Sequence, residues 1–234
     1  IKGSIDLTTP DDAPITYSIG ASIPITWSQV GSIGSVKVEF SAKGDFTDTI
    51  VLDAGMVTGG TGTYSLDPVW TAPFTVAETY KVRVTNVSAP VGTEVTDTTT
   101  AAFRVRPTVT GVSSPALGAT WKVGETNRTI TWGSVSGNKT DGNPPKVQID
   151  YQVDSSGIWN SIATNVNNAN GTNNFNWTAG VADEKSENTE IRVAFQEYTS
   201  VNNLSAAFKV RPRITVTAPT GSANIAVGSA NNSF

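Results

Sequence analysis

The chain has 234 residues, no Cys and no His, and a formal net charge of −4, with 16 Lys and Arg against 20 Asp and Glu. Disulfides, thiolate metal sites and imidazole bases or ligands are thereby excluded, and an acidic balance without a Lys/Arg cluster argues against nucleic acid. Hydrophobic content of 38% with six Trp suffices for packed cores, yet no apolar run approaches the ~18 residues that span a bilayer.

Thr, Ser, Asn and Gly fill much of the remainder, the composition of a β-rich chain with many turns. No i, i+3, i+4, i+7 stripe is sustained anywhere. Taken in chain order, the predicted strands occur twice. "ITW" at Ile25–Trp27 returns at Ile130–Trp132, and "VKVEF" (Val36–Phe40) returns as "VQIDY" (Val147–Tyr151). "WTA" at Trp70 returns at Trp177, "VRV" at Val82 as "IRV" at Ile191, and "FRVRP" (Phe103–Pro107) as "FKVRP" (Phe208–Pro212). The period is near 105 residues, and Pro10, Pro115 and Pro219 are expected to open three copies. The second copy gains six residues between Trp132 and Val147 and loses four between Val193 and Phe208. Such changes between fixed anchors suit surface loops.

The anchors alternate with period 2. Val36, Val38 and Phe40 share one face, while Lys37 and Glu39 share the other. One polar face per strand predicts antiparallel sheets packed on one side only. About seven such runs in roughly 100 residues is the size of an immunoglobulin-like sandwich. The expected fold is all-β: tandem immunoglobulin-like antiparallel β-sandwiches arranged as a rod. The expected boundaries are 1–106 for the first, 107–210 for the second, and 211–234 for the first strands of an incomplete third.

"WKVGETNRTITW" (Trp121–Trp132), followed by "VQIDY", "GIWNSIA", "FNWTAG" and "IRV", resembles an Ig-like repeat common in bacterial and archaeal surface proteins. The same module is similar to the N-terminal domain of fungal cell-wall-synthesis and Ser/Thr-rich GPI-anchored proteins. The resemblance covers the second copy and, more loosely, the first. In that family these motifs are structural positions, so the resemblance implies a fold and no catalytic or binding residue.

Between Phe103 and Pro115 one alternating run passes through Arg-Pro into the next with no Gly/Ser linker. A Pro there fixes φ and withholds a donor, which ends the ladder and stiffens the joint. The predicted rod has sandwiches on the order of 35–40 Å long, if strands run ~10 residues at ~3.4 Å. Residues 211–234 would expose Ile214, Val216, Ile225 and Val227. These are either the edge of a longer repeat array or a strand for pairing with another subunit.

Each candidate site has a plain structural alternative. Trp27 and Trp132 fall at the apolar phase and are expected in the core. Trp121 aligns with Tyr17, which marks a packing position. Trp159, aligned with Phe46 just after a turn Gly, is the candidate for stacking on a sugar. Calcium takes roughly six to eight oxygen ligands; its weak candidates are Asp141, Asp183 and Glu184, with Asp11, Asp12, Asp45 and Asp48 in other turns. The Asn-rich run Thr164–Trp177 reads as a loop or hairpin. Among seven N-x-[ST] sequons, Asn138, Asn170, Asn176 and Asn203 are the glycosylation candidates.

Catalysis lacks a base for a Ser nucleophile, a paired carboxylate and a phosphate loop. The expected function is therefore non-enzymatic and cofactor-free: a stalk, extracellular fibre or surface-layer element of a secreted or cell-surface protein. A start at Ile1 is compatible with a removed signal peptide. Expected partners are other copies of the chain, further Ig-like repeats, and cell-surface glycans. An adhesin or carbohydrate-binding module is the alternative, and an accessory domain of an extracellular enzyme the third.

Overall fold

The computed structural model describes residues 3–11, 14–178 and 185–216. The expectations placed on Asp12, Asp183, Glu184, Pro219, Ile225 and Val227 lie outside these residues.

Among the described residues, eleven strands precede residue 107: β1 (Ser4–Thr9), β2 (Thr16–Ser18), β3 (Ser22–Ile23), β4 (Thr26–Val30), β5 (Ser35–Ser41), β6 (Ile50–Val57), β7 (Gly62–Ser65), β8 (Trp70–Thr71), β9 (Thr75–Asn86), β10 (Thr96–Thr98) and β11 (Phe103–Arg106). Ten described strands follow it: β12 (Thr108–Ser114), β13 (Thr120–Lys122), β14 (Arg128–Val135), β15 (Asn138–Lys139), β16 (Val147–Val153), β17 (Asn160–Val166), β18 (Gly171–Trp177), β19 (Ser186–Phe195), β20 (Tyr198–Leu204) and β21 (Phe208–Arg211). No helix occurs among the described residues.

One topology is built twice. A sheet ordered β1-β4-β7 faces one ordered β2-β11-β9-β5-β6, with β10 on the far half of β9. The second sandwich repeats this as β12-β14-β18 against β13-β21-β19-β16-β17, with β20 on β19. The fold is all-β, in two tandem β-sandwiches.

The antiparallel sheets expected from the sequence are present, with a parallel edge pair in each sandwich: β2 runs parallel to β11 (Tyr17 opposite Val105), and β13 runs parallel to β21 (Trp121 opposite Val210). One expectation is corrected: Pro10 and Pro115 do not open the copies. Each follows a strand already paired in the three-stranded sheet, β1 or β12, and precedes the short strand that joins the opposite sheet. Pro has no N–H to give a ladder, so it fits where a strand leaves one sheet for the other.

The cores match at their aromatic anchors. Trp27 and Trp132 are fully buried, as the alternation of β4 and β14 requires. Tyr17 meets Phe103 edge-on at 5.8 Å, and its counterpart Trp121 meets Phe208 at 4.9 Å. Half-buried Trp70 and Trp177 lie at the rims, against Phe40 (4.4 Å) and Tyr151 (5.5 Å).

The outward face of the central strands is not the solvated surface that alternation predicts. Glu39 on β5 and Asp150 on β16 are both buried. Glu39 pairs with Lys37 and Arg83; Asp150 accepts from Arg192 Nη2 at 2.9 Å and Nε at 3.1 Å. Each arginine lies over an aromatic ring: Arg83 over Phe46 at 4.1 Å, Arg192 over Trp159 at 4.4 Å. A carboxylate, an arginine and a ring thus roof each five-strand sheet from outside. Trp159, the candidate for stacking on a sugar, is accordingly half-buried.

Candidate functional site: the joint between the sandwiches

Pro107 alone separates β11 from β12, and it is buried. Its ring restricts φ at the one residue that could swing the second sandwich on its tether. Three further contacts close the joint.

The first is made by the residues the second copy gains between Trp132 and Val147. They do not form a free surface loop. Instead they carry β15, which pairs in parallel with the start of β9, Asn138 opposite Thr75 and Lys139 opposite Val76. Asn138 N donates to Phe74 O at 2.8 Å. The chain enters β15 through Gly137 at φ +58°, where a Cβ would collide with the Phe74 carbonyl and the Ile19 side chain. Asn170 Oδ1 holds the approach by accepting from Ser136 N (2.6 Å) and Gly137 N (3.3 Å).

The second contact is apolar. Val135 packs against the core of the first sandwich, and Tyr198 packs against the cores of both.

The third is electrostatic. Glu78 on β9 accepts a fork from Arg106, Nε to Oε1 and Nη2 to Oε2, both at 2.8 Å, and Arg104 Nε reaches Oε2 at 2.9 Å. The Arg106 hydrogen bonds hold the Glu78 carboxyl below the usual carboxylate range against the opposing effect of burial. The guanidinium so fixed lies over the Tyr198 ring, 5.3 Å from its centre. Burial raises the Tyr198 phenol, with Glu197 and Glu78 adding to the shift. Beside it, Lys139 Nζ donates to Glu197 Oε1 at 2.9 Å, which raises the ammonium above its ordinary value.

These groups bind and orient; none is arranged as a nucleophile with a base. Among the described residues no three acidic side chains converge to hold a metal ion. Asp141 accepts from Asn143 N at 2.8 Å in its own turn, and its other oxygen lies 3.6 Å from Lys139 Nζ. Asp11 accepts from Thr100 N and Asp48 from Ser41, so each spends oxygens on local structure.

The glycosylation candidates fall in four settings. The Asn138 side chain is exposed at the joint. Asn170 is exposed, with Oδ1 committed to the joint loop. Asn176 is exposed and accepts from Thr129 Oγ1 at 3.0 Å. Asn203 is different: its Nδ2, the atom a glycan would modify, donates to Val109 O at 3.3 Å, and Ser205 of the sequon is buried. That arrangement works against modification at Asn203. The Asn-rich run is a crossover between the two sheets, from β17 on β16 to β18 on β14, and not a hairpin. Ile214 and Val216 are exposed and outside any strand.

The joint's polar residues, Glu78, Arg106 and Tyr198, were not singled out in the sequence. A signal existed. Glu78 and Glu187 share the 109-residue offset of Val82 and Ile191, and Arg104 and Arg106 return as Lys209 and Arg211.

No family model matches the sequence, and no curated protein matches it. Solved structures with a similar fold include the fibronectin(III)-like modules of Clostridium thermocellum CbhA, at 18% identity over 89% of this chain and 94% of that one, TM-score 0.26. A titin fragment, A168169, is 12% identical over 90% and 100% of the two chains, TM-score 0.38. The ICAM-5 D1–D4 ectodomain fragment is 11% identical over 92% and 56%, TM-score 0.41. The likeness is one of fold.

Proposed function

We propose that the chain is part of a non-enzymatic structural repeat region of a secreted or cell-surface protein, in which tandem immunoglobulin-like sandwiches act as a stalk or spacer. The repeats in this reading are residues 1–106 and 107–210, and 211–234 begin a third. Its partners are further repeats of the same kind, and it needs no cofactor.

The observation that carries the reading is the joint. A flexible tether would leave orientation free and require only the covalent link. Here a single buried Pro is reinforced by strand pairing, apolar packing and a guanidinium over a ring, all between neighbouring sandwiches. Such redundancy fixes distance and direction, which a spacer requires. A glycan-binding role has less support, because one face of the Trp159 ring is already occupied by Arg192.

Residual dipolar couplings on the 234-residue chain test the reading. One alignment tensor should fit both sandwiches. Two distinct tensors would make the joint a hinge and end the spacer interpretation.

A further inference from the structure

The ionic half of the joint is present a second time, at the far end of the second sandwich. Glu187 accepts from Arg211 Nη2 at 3.0 Å and from Lys209 Nζ at 2.9 Å. These three occupy the positions of Glu78, Arg106 and Arg104. Within each sandwich the arrangement is the same, one carboxylate near the start of the long strand and two cations on the last strand, although Arg106 grips Glu78 with Nε and Nη2 and Arg211 reaches Glu187 with Nη2 alone. The covering is not the same. The Glu78 side chain is 38% exposed and Glu187 is 65%; Arg106 is 21% exposed and Arg211 is 51%. Pro107 is buried and Pro212 exposed. Val109, two residues past the first Pro, is 7% exposed, whereas Ile214, two past the second, is 89%. The difference corresponds to what the second sandwich covers at the first joint, above all the Tyr198 ring over Arg106. An open cleft lined by Asp154, Ser186, Val210 and Pro212 lies beside the uncovered pair.

We propose that Glu187, Lys209, Arg211 and Pro212 form a docking face for a further sandwich of the same kind, which supplies an aromatic ring to the Arg211 guanidinium as Tyr198 does to Arg106. The inference rests on the spacer reading and specifies where the next unit attaches. Three features select a sandwich of this type over another partner. "FKVRPRITV" repeats in sequence the alternating run through Arg-Pro that tethers the first joint, so the same short link leads away from this face. Glu187 holds Arg211 through Nη2 alone, at 3.0 Å from each carboxylate oxygen, which anchors the guanidinium at this face and leaves its other edge to be set by a ring from the next sandwich. Finally, Ile214 stands where Val109 enters the second core, so the apolar surface continuing from this face suits the first strand of another sandwich.

The absence of Cys makes the test direct, because spin labels can be attached at introduced cysteines alone. A second copy of residues 107–234 is joined after Arg211, placing an identical sandwich beyond the proposed face. Labels at Thr63→Cys and Ser161→Cys of the first copy report the first joint. Labels at Ser161→Cys of both copies report the second. Narrow distance distributions are expected across both joints. Arg211→Ala should remove the narrow peak at the second joint and leave the first unchanged. Arg211→Lys keeps a charge for Glu187 but loses the stacking plane, and should broaden the second joint too. A broad second distribution beside a narrow first, or a narrow second one indifferent to both substitutions, would overturn this inference while sparing the spacer reading. A broad first distribution would remove the spacer reading itself, and this inference with it.

Discussion

The Arg106 guanidinium lies over the Tyr198 ring at 5.3 Å, although the two residues belong to different sandwiches. Arg106 ends β11, directly before Pro107, so the ring meets the first sandwich at the point where the chain leaves it. Glu78 holds the guanidinium flat from behind through two hydrogen bonds. Lys139 and Glu197 pair beside the ring, and β15 extends the β9 sheet on the same side. The short tether sets where the two sandwiches meet, and these contacts set the angle.

Tyr198→Ala should loosen the joint without unfolding either sandwich, because the ring is peripheral to two otherwise complete cores. The lost stacking accounts for about 0.5–2 kcal/mol, with the apolar body of the ring adding to it. Tyr198→Phe keeps the stacking face and should behave much like the parent. Dipolar couplings check this: the common alignment of the sandwiches is expected to be lost in the alanine variant alone. An alanine variant as well aligned as the parent would show that the ring does not hold the joint.

Gly137→Ala should open the joint from the other side. The residue sits at φ +58°, and a methyl group there would strike the Phe74 carbonyl and Ile19. Strain at such a position costs about 1–3 kcal/mol, and withdrawing β15 from β9 relieves it. Hydrogen exchange at the Asn138 amide, which donates to Phe74 O, reads this out. Its exchange should accelerate while amides within β16 and β19 keep their protection. Unchanged protection at Asn138 would mean that the loop absorbs the methyl without moving.

The division of labour between sequence and structure is visible at these same residues. Period-2 alternation marked Trp27, Trp132, Val36 and Val38 as core, because burying one face of a strand is a local demand that each strand records. The internal repeat placed Tyr17 opposite Trp121 and Phe46 opposite Trp159, and the structure gives each pair equivalent partners. Alternation misread Glu39 and Asp150, which have the outward phase yet are buried, because the arginine and ring that cover them come from distant strands and turns. The extra residues near Asn138 were legible as a loop. That they dock on Phe74 was not, since nothing within the loop encodes which backbone edge lies across from it. The Pro positions were legible as punctuation, but whether a Pro opens a repeat or marks a strand switching sheets depends on pairing alone.

Asn168→Ala should weaken the second sandwich specifically. Asn168 is buried in the Asn-rich crossover, where its Oδ1 accepts from Trp132 Nε1 at 2.8 Å and Ser134 Oγ at 3.1 Å. Removing it leaves the buried Trp132 Nε1 unpaired, at about 1–3 kcal/mol, while Ser134 Oγ keeps the Ala169 carbonyl at 2.8 Å. In urea the transition of the second sandwich should move to lower denaturant while that of the first, whose Trp27 Nε1 has no such partner to lose, stays in place. Amide resonances resolved for each sandwich report the two transitions separately. Equal loss in both would place the effect at the joint instead of in the core.

Acid should destabilise the protein through carboxylates held in ionised form by the fold. Burial raises the Glu39 carboxyl, but its bonds to Lys37 and Arg83 outweigh this and leave it below its ordinary value of 4.5. Glu78 is lowered chiefly by its hydrogen bonds from Arg106, and Glu187 by those from Lys209 and Arg211. A carboxyl whose folded value is depressed contributes stability that is fully present above its unfolded value and is lost as pH falls through the folded one. Unfolding free energy should therefore stay level between about pH 5 and 8, where no His is present to titrate. Below 4.5 it should fall progressively. Arg83→Ala removes one of two cations from buried Glu39; losing a sole partner costs about 3–5 kcal/mol, and with Lys37 remaining about 1–3 kcal/mol is expected. Much of that variant's deficit should vanish at low pH, because protonated Glu39 no longer needs the charge. A deficit that stays constant from neutral to acid pH would assign Arg83 a packing role over Phe46 in place of an electrostatic one.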